Sequence, residues 1–344
     1  MNALTSGELK FVPDRLRRAG GGVCGPLSAT LIAGGRSNLT FRLDDGTSSW
    51  VLRMPPRSGR PPSAHDVARE FRVIDALART DVPVAKAVLL CEEESVVGLP
   101  FAVAEFVEGV SVQSRFDLSE LDDNAVSGSA SALVESLVAL HSVDYRAAGL
   151  GDFGRLDEYA ERLLRCWASQ WELVAAADPE LLAVAEELRS RLAKSLPGQR
   201  CSSVVHGDFR IDNTILRIAD HPIRVAAIVD WELSTIGDPA ADVAMMCAYR
   251  HPALDLILGT KSAWTSDRLP DPDGLTTLYR RSGGVDLVDW EFHLALAHFK
   301  IAVIAAGIDH RYRVGGAAGP GFDTAADAVG PLLAAGVESL GVRS

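Results

Sequence analysis

The chain reads as an α+β protein of two lobes, a small antiparallel-sheet N-lobe over residues 1–107 and a mostly helical C-lobe over residues 108–344. Three observations predict this. Up to Val107 the apolar residues come in short alternating runs separated by turn residues, the period of half-buried strands, with one amphipathic helix among them. Beyond Val107 they recur three and four apart over long stretches, as on helices packed against a core. Inside that second half, Val204 to Glu232 reads VVHGDFRIDNTILRIADHPIRVAAIVDWE, two short β-branched runs that each end in a carboxylate.

In chain order, a short helix is expected around Leu9 to Arg18, followed by the joint AGGGVCG. Leu27 to Ile32 alternates as a strand, residues 33–38 (AGGRSN) form a flexible loop, and Leu39 to Leu43 resumes the strand. Asp44-Asp45-Gly46 is a hairpin signal, and Trp50 to Met54 is the third strand. After the Pro-rich RSGRPPS, His65 to Arg79 carries Val67, Phe71, Ile74, Ala76 and Leu77 on one helical stripe. Leu99 to Gly109 reads as a last strand with a polar exit. Further helices are expected at Ala130 to His141, Leu156 to Trp171, Pro179 to Leu196, Asp238 to Arg250 and Trp290 to Arg311, and strands at Ser203 to Val205 and Val225 to Val229. The stretch from Gly315 to Gly321 reads as a loop, either a substrate lid or an ordinary surface connection.

The chemistry concentrates after Val205. His206-Gly207-Asp208, Asn213 five residues past that Asp, and Asp230 after the second strand reproduce H-x-D-x-x-x-x-N followed by a metal-binding Asp, the spacing of a phosphoryl-transfer site. Asp208 would orient an acceptor hydroxyl and take its proton, while Asn213 and Asp230 offer oxygen ligands to Mg²⁺. Arg210, two residues after Asp208, is placed to neutralise the transferring phosphate, and His206 is expected to brace the loop. Upstream, Gly34 and Gly35 with Ser37 and Asn38 would bring backbone N–H groups to the phosphates of ATP. The cation expected on the third strand is Arg53, since the only lysines in residues 1–107 are Lys10 and Lys86 and neither lies on this strand, and Glu70 on the helix is its partner. Backbone groups from Glu105 to Val107 are placed for adenine. A lone HxD triplet or glycine pair could equally cap turns, and Glu70 alone could be a solvated carboxylate; the order of all these parts makes the pattern specific.

Those residues resemble the aminoglycoside phosphotransferase or choline-kinase-like family, whose fold is that of protein kinases. The stretches GGRSNLTFRL, WVLRMPP, AREFRVIDAL, HGDFRIDN, DWELSTIGDPAADVA and FKIAVIAAGIDHRYR are similar to the branch found as the kinase-like domain of acyl-CoA dehydrogenase fusion proteins. The resemblance runs from about Pro26 to Arg313. It implies that Asp242 is a buried acid anchoring the catalytic loop, and that an arginine on the third strand is usual for this branch.

Composition narrows the remainder. At 344 residues and 47% hydrophobic the chain can bury two cores, and its five cysteines lack disulfide-framework or zinc spacing, as in a reducing compartment. A net charge of −12 argues against nucleic acid. No apolar signal core opens MNALTSGELK, and the tract Ile301 to Ile308 is too short to span a bilayer, so a cytoplasmic monomer or homodimer without membrane attachment is expected. The expected function is an ATP- and Mg²⁺-dependent kinase of a small-molecule hydroxyl. The alternatives are an aminoglycoside or macrolide kinase and a non-catalytic nucleotide-binding pseudokinase. Lys300, Arg311 and Arg313, with His310 and Tyr312, form a basic stretch that favours an anionic or acyl acceptor such as a hydroxyacyl-CoA; as a helix end they could equally complement the helix dipole.

Overall fold

The structure is a computed structural model, described here for residues 4–33, 38–56, 66–315 and 319–341. The N-terminal helices are α1 (Ser6–Leu9) and α2 (Val12–Arg18). One helix was expected there; Pro13 cannot donate a backbone hydrogen bond to a preceding turn, and it sits instead in the first turn of α2. The strands β1 (Ser28–Ala33), β2 (Leu39–Asp44), β3 (Ser49–Met54), β4 (Ala87–Cys91) and β5 (Phe101–Glu105) form one antiparallel sheet in the order β1-β2-β3-β5-β4. Helix α3 (Val67–Leu77) lies between β3 and β4 in sequence, and the short α4 (Glu94–Val97) between β4 and β5. The edge strand β4 escaped sequence reading because AVLLC does not alternate.

Alternation on β2 and β3 decides what faces the catalytic side. Leu39, Phe41 and Leu43 with Trp50, Leu52 and Met54 are buried with Val12 and Leu16 in the N-lobe core. Their neighbours Thr40, Arg42, Val51 and Arg53 therefore project into the cleft between the lobes. A one-residue slip would send Arg53 into the core.

The C-lobe is built from α5 (Arg115–Ser119), α6 (Asp123–His141), α7 (Tyr159–Val174), α8 (Pro179–Lys194), α9 (Pro239–Ala248), α10 (Ala253–Leu258), α11 (Pro272–Arg281), α12 (Trp290–Arg313) and α13 (Ala326–Ser339). Helix α12 is long and apolar enough to cross a bilayer by length and composition, but 78% of its apolar window is buried within the protein, where it packs on α7, α9 and α13. It is the C-lobe's core helix. The segment expected as a strand-loop-strand unit is instead two ladders: β6 (Ser203–Val205) pairs with β9 (Thr235–Gly237), and β7 (Thr214–Arg217) with β8 (Arg224–Ile228). The acidic residues lie in the loops that leave β6 and β8.

Helix α3 belongs to the N-lobe in sequence yet is fastened to the C-lobe. Arg69 donates to the carbonyls of Phe153 at 2.7 Å and Ser234 at 3.1 Å, its guanidinium 3.9 Å from the Phe153 ring centre. Arg72 pairs with Asp152 and donates to Gly149 O at 3.1 Å.

On the far side of α12, His298 is buried beside His251, the ring centres 6.1 Å apart. Burial, reinforced by His251, pushes the His298 imidazole down to about 4. Its folded value lies below the unfolded 6.5, so the unfolded chain binds the proton first and stability falls as pH drops from about 6.5 through about 4. Urea unfolding across that window should show His298→Gln losing less stability than the parent, by a difference on the order of 2–3 kcal/mol; parallel curves would place the pH dependence elsewhere.

Candidate active site

The loop after β6 is fixed before any reacting group is placed. Asp242, in the first turn of α9 and 1% exposed, accepts His206 N–H at Oδ2 (2.5 Å) and Gly207 N–H at Oδ1 (2.7 Å). His141 Nε2 lies 3.3 Å from Oδ2, and its other nitrogen 2.8 Å from the Tyr279 hydroxyl. Burial opposes the Asp242 charge, but His141 and the loop amides outweigh it and hold the carboxyl below its ordinary value. Gly207 turns at φ 82°, and a Cβ there would lie 2.8 Å from Leu233 O, so only glycine fits. His206 Nδ1 accepts the Asp208 N–H at 3.3 Å and Nε2 donates to Val229 O at 2.9 Å. With both nitrogens occupied in those senses, His206 is a neutral brace.

Asp208 follows, with both carboxylate oxygens engaged. Arg210 donates to Oδ1 at 3.2 Å and Asn213 Nδ2 to Oδ2 at 3.0 Å, the same Nδ2 also reaching Asp208 O at 2.7 Å. Asn213 therefore uses its amide nitrogen on Asp208, leaving its carbonyl oxygen without a hydrogen-bond partner among the described residues. That oxygen has the hardness Mg²⁺ requires. Arg210 was expected to face the phosphate. Instead it is 9% exposed, grips Asp212 through Nε (2.9 Å) and Nη2 (3.0 Å), and stacks 4.5 Å over Tyr249. Burial opposes its charge, but Asp208 and Asp212 hold it protonated well above its ordinary value. In this arrangement it positions Asp208. Asp212 and Tyr249, which flank the Arg210 guanidinium, were not anticipated; the RID triplet at 210–212 was the available signal for Asp212.

Asp230 leaves β8 in the left-handed region (φ 66°, ψ 60°), a conformation disfavoured by about 1–3 kcal/mol for a non-glycine residue. Its carboxylate meets Arg53 from the sheet at 2.5 Å. Arg53 Nε lies 2.8 Å from Glu70 Oε2, an ion pair without a well-aimed hydrogen bond, and Glu232 stands 4.0 Å from Nη2. The expected Arg53–Glu70 pair is present, and Asp230 joins it. Burial raises the Glu70 carboxyl to about 7; Asp230 and Glu232 add to the rise while Arg53 opposes it. Asn38, expected at the phosphates, donates to Glu70 Oε1 at 2.6 Å. Gly34, Gly35 and Ser37 lie outside the described residues.

Around Arg53 opens a cleft of about 550 Å³, walled by Val51 and Ala104 above and Ile215 and Ile228 below. Glu105 and Val107 both line it. The Glu105 N–H is taken by Lys86 O at 2.9 Å and its side chain by Lys86 Nζ at 2.8 Å. Val107 makes no backbone hydrogen bond among the described residues, so its peptide groups are available to a ligand's polar edge.

The basic stretch does not form one face. Lys300 is 5% exposed beneath the catalytic loop, donating to Gly207 O at 2.8 Å, with Trp167 5.6 Å away. Burial lowers its ammonium from the ordinary value, and Asp208 and Asp242 oppose the fall. Arg311 lies about 16 Å farther along α12, and Arg313 is exposed and paired with Asp309 at 2.7 Å. A 24-residue helix is simply too long for both ends to reach one small site. Lys300 alone touches the catalytic unit.

The model of the phosphotransferase enzyme family designated APH matches residues 28–276. The chain belongs to this family. Among its relatives, Acyl-CoA dehydrogenase family member 11 of Homo sapiens is 35% identical over 310 residues, covering 88% of the chain and 39% of that protein. The chain thus spans about two fifths of that relative. A Ralstonia eutropha crystal structure, solved under the provisional description aminoglycoside phosphotransferase, is 32% identical with a TM-score of 0.81, covering 96% of this chain and 97% of that one. At 18% identity, aminoglycoside phosphotransferase APH(4)-Ia in complex with AMP-PNP and hygromycin B shares the fold, with a TM-score of 0.64 over 99% of this chain and all of that one. The kinase-like two-lobe fold and the branch resemblance expected from sequence are both borne out.

Because Glu70 titrates above its unfolded value of 4.5, its contribution to stability is complete at low pH and is lost as pH rises through about 7. Glu70→Gln should therefore gain stability relative to the parent between pH 5 and pH 8, by on the order of 2 kcal/mol in urea unfolding. A cycle combining it with Arg53→Met should show a coupling of about 1–3 kcal/mol. Strict additivity would mean the two side chains do not interact.

Proposed function

We propose that the chain is an ATP- and Mg²⁺-dependent phosphotransferase for the hydroxyl of a small molecule, with a hydroxyacyl-CoA or similar anionic amphiphile as acceptor. The observation that carries the transfer reading is that Asp208 is held by Asn213, whose side-chain carbonyl is left free and which, with Asp230, lines the cleft holding Arg53. A purine fits between the walls at Val51 and Ala104 and at Ile215 and Ile228, its polar edge toward Val107. Bound Mg²⁺ would neutralise the phosphate oxygens, with Asn213 and Asp230 as its protein ligands. Among the described residues no cluster of three or more His, Cys, Asp or Glu forms an all-protein metal cage; two protein ligands with phosphate and water completing the shell is the mode Mg²⁺ prefers.

Asp208 accepts the proton of the acceptor hydroxyl as its oxygen bonds to the γ-phosphorus and the bond to the ADP oxygen breaks. Arg210 and Asn213 fix the carboxylate for that step, so catalysis is largely positioning and charge neutralisation. Arg53, paired with Asp230 and lining the cleft, would be the cation offered to the nucleotide phosphates. All three reacting or metal-binding residues are retained, which a protein that only bound nucleotide would not require. Two observations support an anionic acyl acceptor: Lys300 places a buried positive charge beneath the catalytic loop, and the 35% identical relative bears an acyl-CoA dehydrogenase name.

Asp208→Asn should retain nucleotide affinity while lowering turnover on the order of 10²-fold or more; Asp230→Ala should instead weaken Mg²⁺-dependent nucleotide binding. These are read by isothermal titration with ADP and by ADP release over a panel of hydroxyl acceptors. A kcat/KM for kanamycin-type polycations exceeding that for hydroxyacyl-CoA thioesters at equal ionic strength would overturn the acceptor assignment, and full turnover by Asp208→Asn would overturn the transfer mechanism.

A further inference from the structure

Lys300 and Arg311 are too far apart to share one small site, yet they lie on one line of α12. Residues eleven apart return to the same face after about three turns, so Lys300, Ile304, Gly307 and Arg311 stand one above another. Helix α7 runs beside that face in the same direction. Trp167 meets Lys300, 5.6 Å from ring centre to Nζ, and farther along both helices Val174 meets Gly307, where a Cβ would lie 3.9 Å from Val174 Cγ1. The seam between the helices is thus a straight trough, with Ile304 and Gly307, both only partly buried, on its floor. A glycine inside a helix costs about 1 kcal/mol relative to alanine. Packing does not demand this one, since a Cβ would make only ordinary contacts, with Val174 and with Arg311 Nη1 at 4.0 Å.

The trough is charged at both ends and apolar between. At the catalytic end Lys300 spends one N–H on Gly207 O. At the far end the Arg311 guanidinium folds back over Gly307 toward Lys300, with no hydrogen bond or ion pair among the described residues. Partial burial alone lowers it from its ordinary value, and no carboxylate opposes the fall. Arg313, by contrast, lies on the other side of the helix and is paired with Asp309. A partly desolvated cation without a counter-charge suits an anion brought by a ligand.

We propose that Arg311 is a specificity-determining residue for the acceptor, holding a phosphate that the acceptor carries at the far end of a long uncharged arm laid over Gly307. The inference rests on the phosphotransferase reading above. Along α12 the two cations are about 16 Å apart, and since helical side chains lean toward the N-terminus, their charged ends keep that separation. A pantetheine arm has about thirteen bonds from sulfur to phosphorus and, at a peptide-like reach of about 1.2 Å per bond, spans about 15–16 Å when extended. A hydroxyacyl thioester with its hydroxyl at Asp208 and its thioester beside Lys300 therefore brings that phosphate to Arg311. The arm between is uncharged, as the trough is.

The test titrates the full chain, with Mg²⁺-ADP bound, against the 3-hydroxybutyryl thioesters of pantetheine, 4′-phosphopantetheine and coenzyme A. The phosphopantetheine thioester should bind about tenfold or more tighter than the pantetheine one, and the coenzyme A thioester at least as tightly. Arg311→Met should erase that preference without changing ADP affinity, Arg311→Lys should keep part of it, and Arg313→Met should leave it intact. Gly307→Leu, which replaces glycine by a better helix former, raises the floor of the trough and should weaken all three thioesters by about tenfold while sparing ADP. Equal binding of the pantetheine and phosphopantetheine thioesters, or a preference that survives Arg311→Met, overturns the role of Arg311 and leaves the proposed function standing. A gain seen with coenzyme A alone also overturns it, because the group recognised would then lie in the nucleotide half of that molecule. Unchanged binding in Gly307→Leu overturns the path of the arm. Binding of ADP with no binding of any thioester removes the acyl acceptor itself, and failure to bind ADP removes the nucleotide reading.

Discussion

A carboxylate sealed inside the C-lobe accepts the N–H groups of His206 and Gly207 while His141 approaches one of its oxygens, and this cage determines where Asp208 stands. Asp242 can bear its charge there for two physical reasons. It occupies the first turn of α9, where the helix dipole favours an anion, and every oxygen has a donor, so the cost of leaving water is recovered. The chain around it has few choices: Gly207 must be glycine, His206 is held at both nitrogens, and the peptide of Asp208 inherits its direction from them. Loop, helix and core thus constrain one another through a residue that is itself sealed from solvent.

The second constraint is an arginine shared among carboxylates from both lobes. Lysine would offer a point charge on a flexible stem, whereas the planar guanidinium of Arg53 presents Nε to Glu70 and Nη2 to Asp230 at once. In this structure the Arg53 guanidinium and the Asp230 carboxylate neutralise each other across the cleft. That lets several acidic groups share a partly buried site, while burial, with Asp230 and Glu232 beside it, makes Glu70 reluctant to ionise in spite of Arg53.

Much of the candidate site was legible from residue types at fixed spacing: Asp208 and Asn213, and Arg53 with Glu70 and Asp230, singled out from the sequence, are in contact in the fold. What sequence could not give was the direction of each side chain. Arg210 stands where a phosphate contact would be expected, but whether it faces the cleft depends on Asp212 and Tyr249, and Tyr249 lies on a different element with no periodic signal to flag it. The basic run on α12 misled for the opposite reason: residues close in sequence on a straight helix are spread along its axis. The two-lobe fold was readable from the change in apolar period at Val107, whereas β4 and α13 lacked alternation or carried mainly small residues, which periodicity reads poorly.

The fastening of α3 to the C-lobe bears on regulation. In a fold where this helix can swing, moving its glutamate toward or away from the strand cation works as a switch, and a second protein or a covalent modification can throw it. Here Arg69 and Arg72 tie the helix to backbone carbonyls of the other lobe, and Glu70 is delivered to Arg53 without an activating event. The arrangement is that of a pair assembled in advance, in which moving Glu70 off the strand cation would first have to break contacts between the lobes.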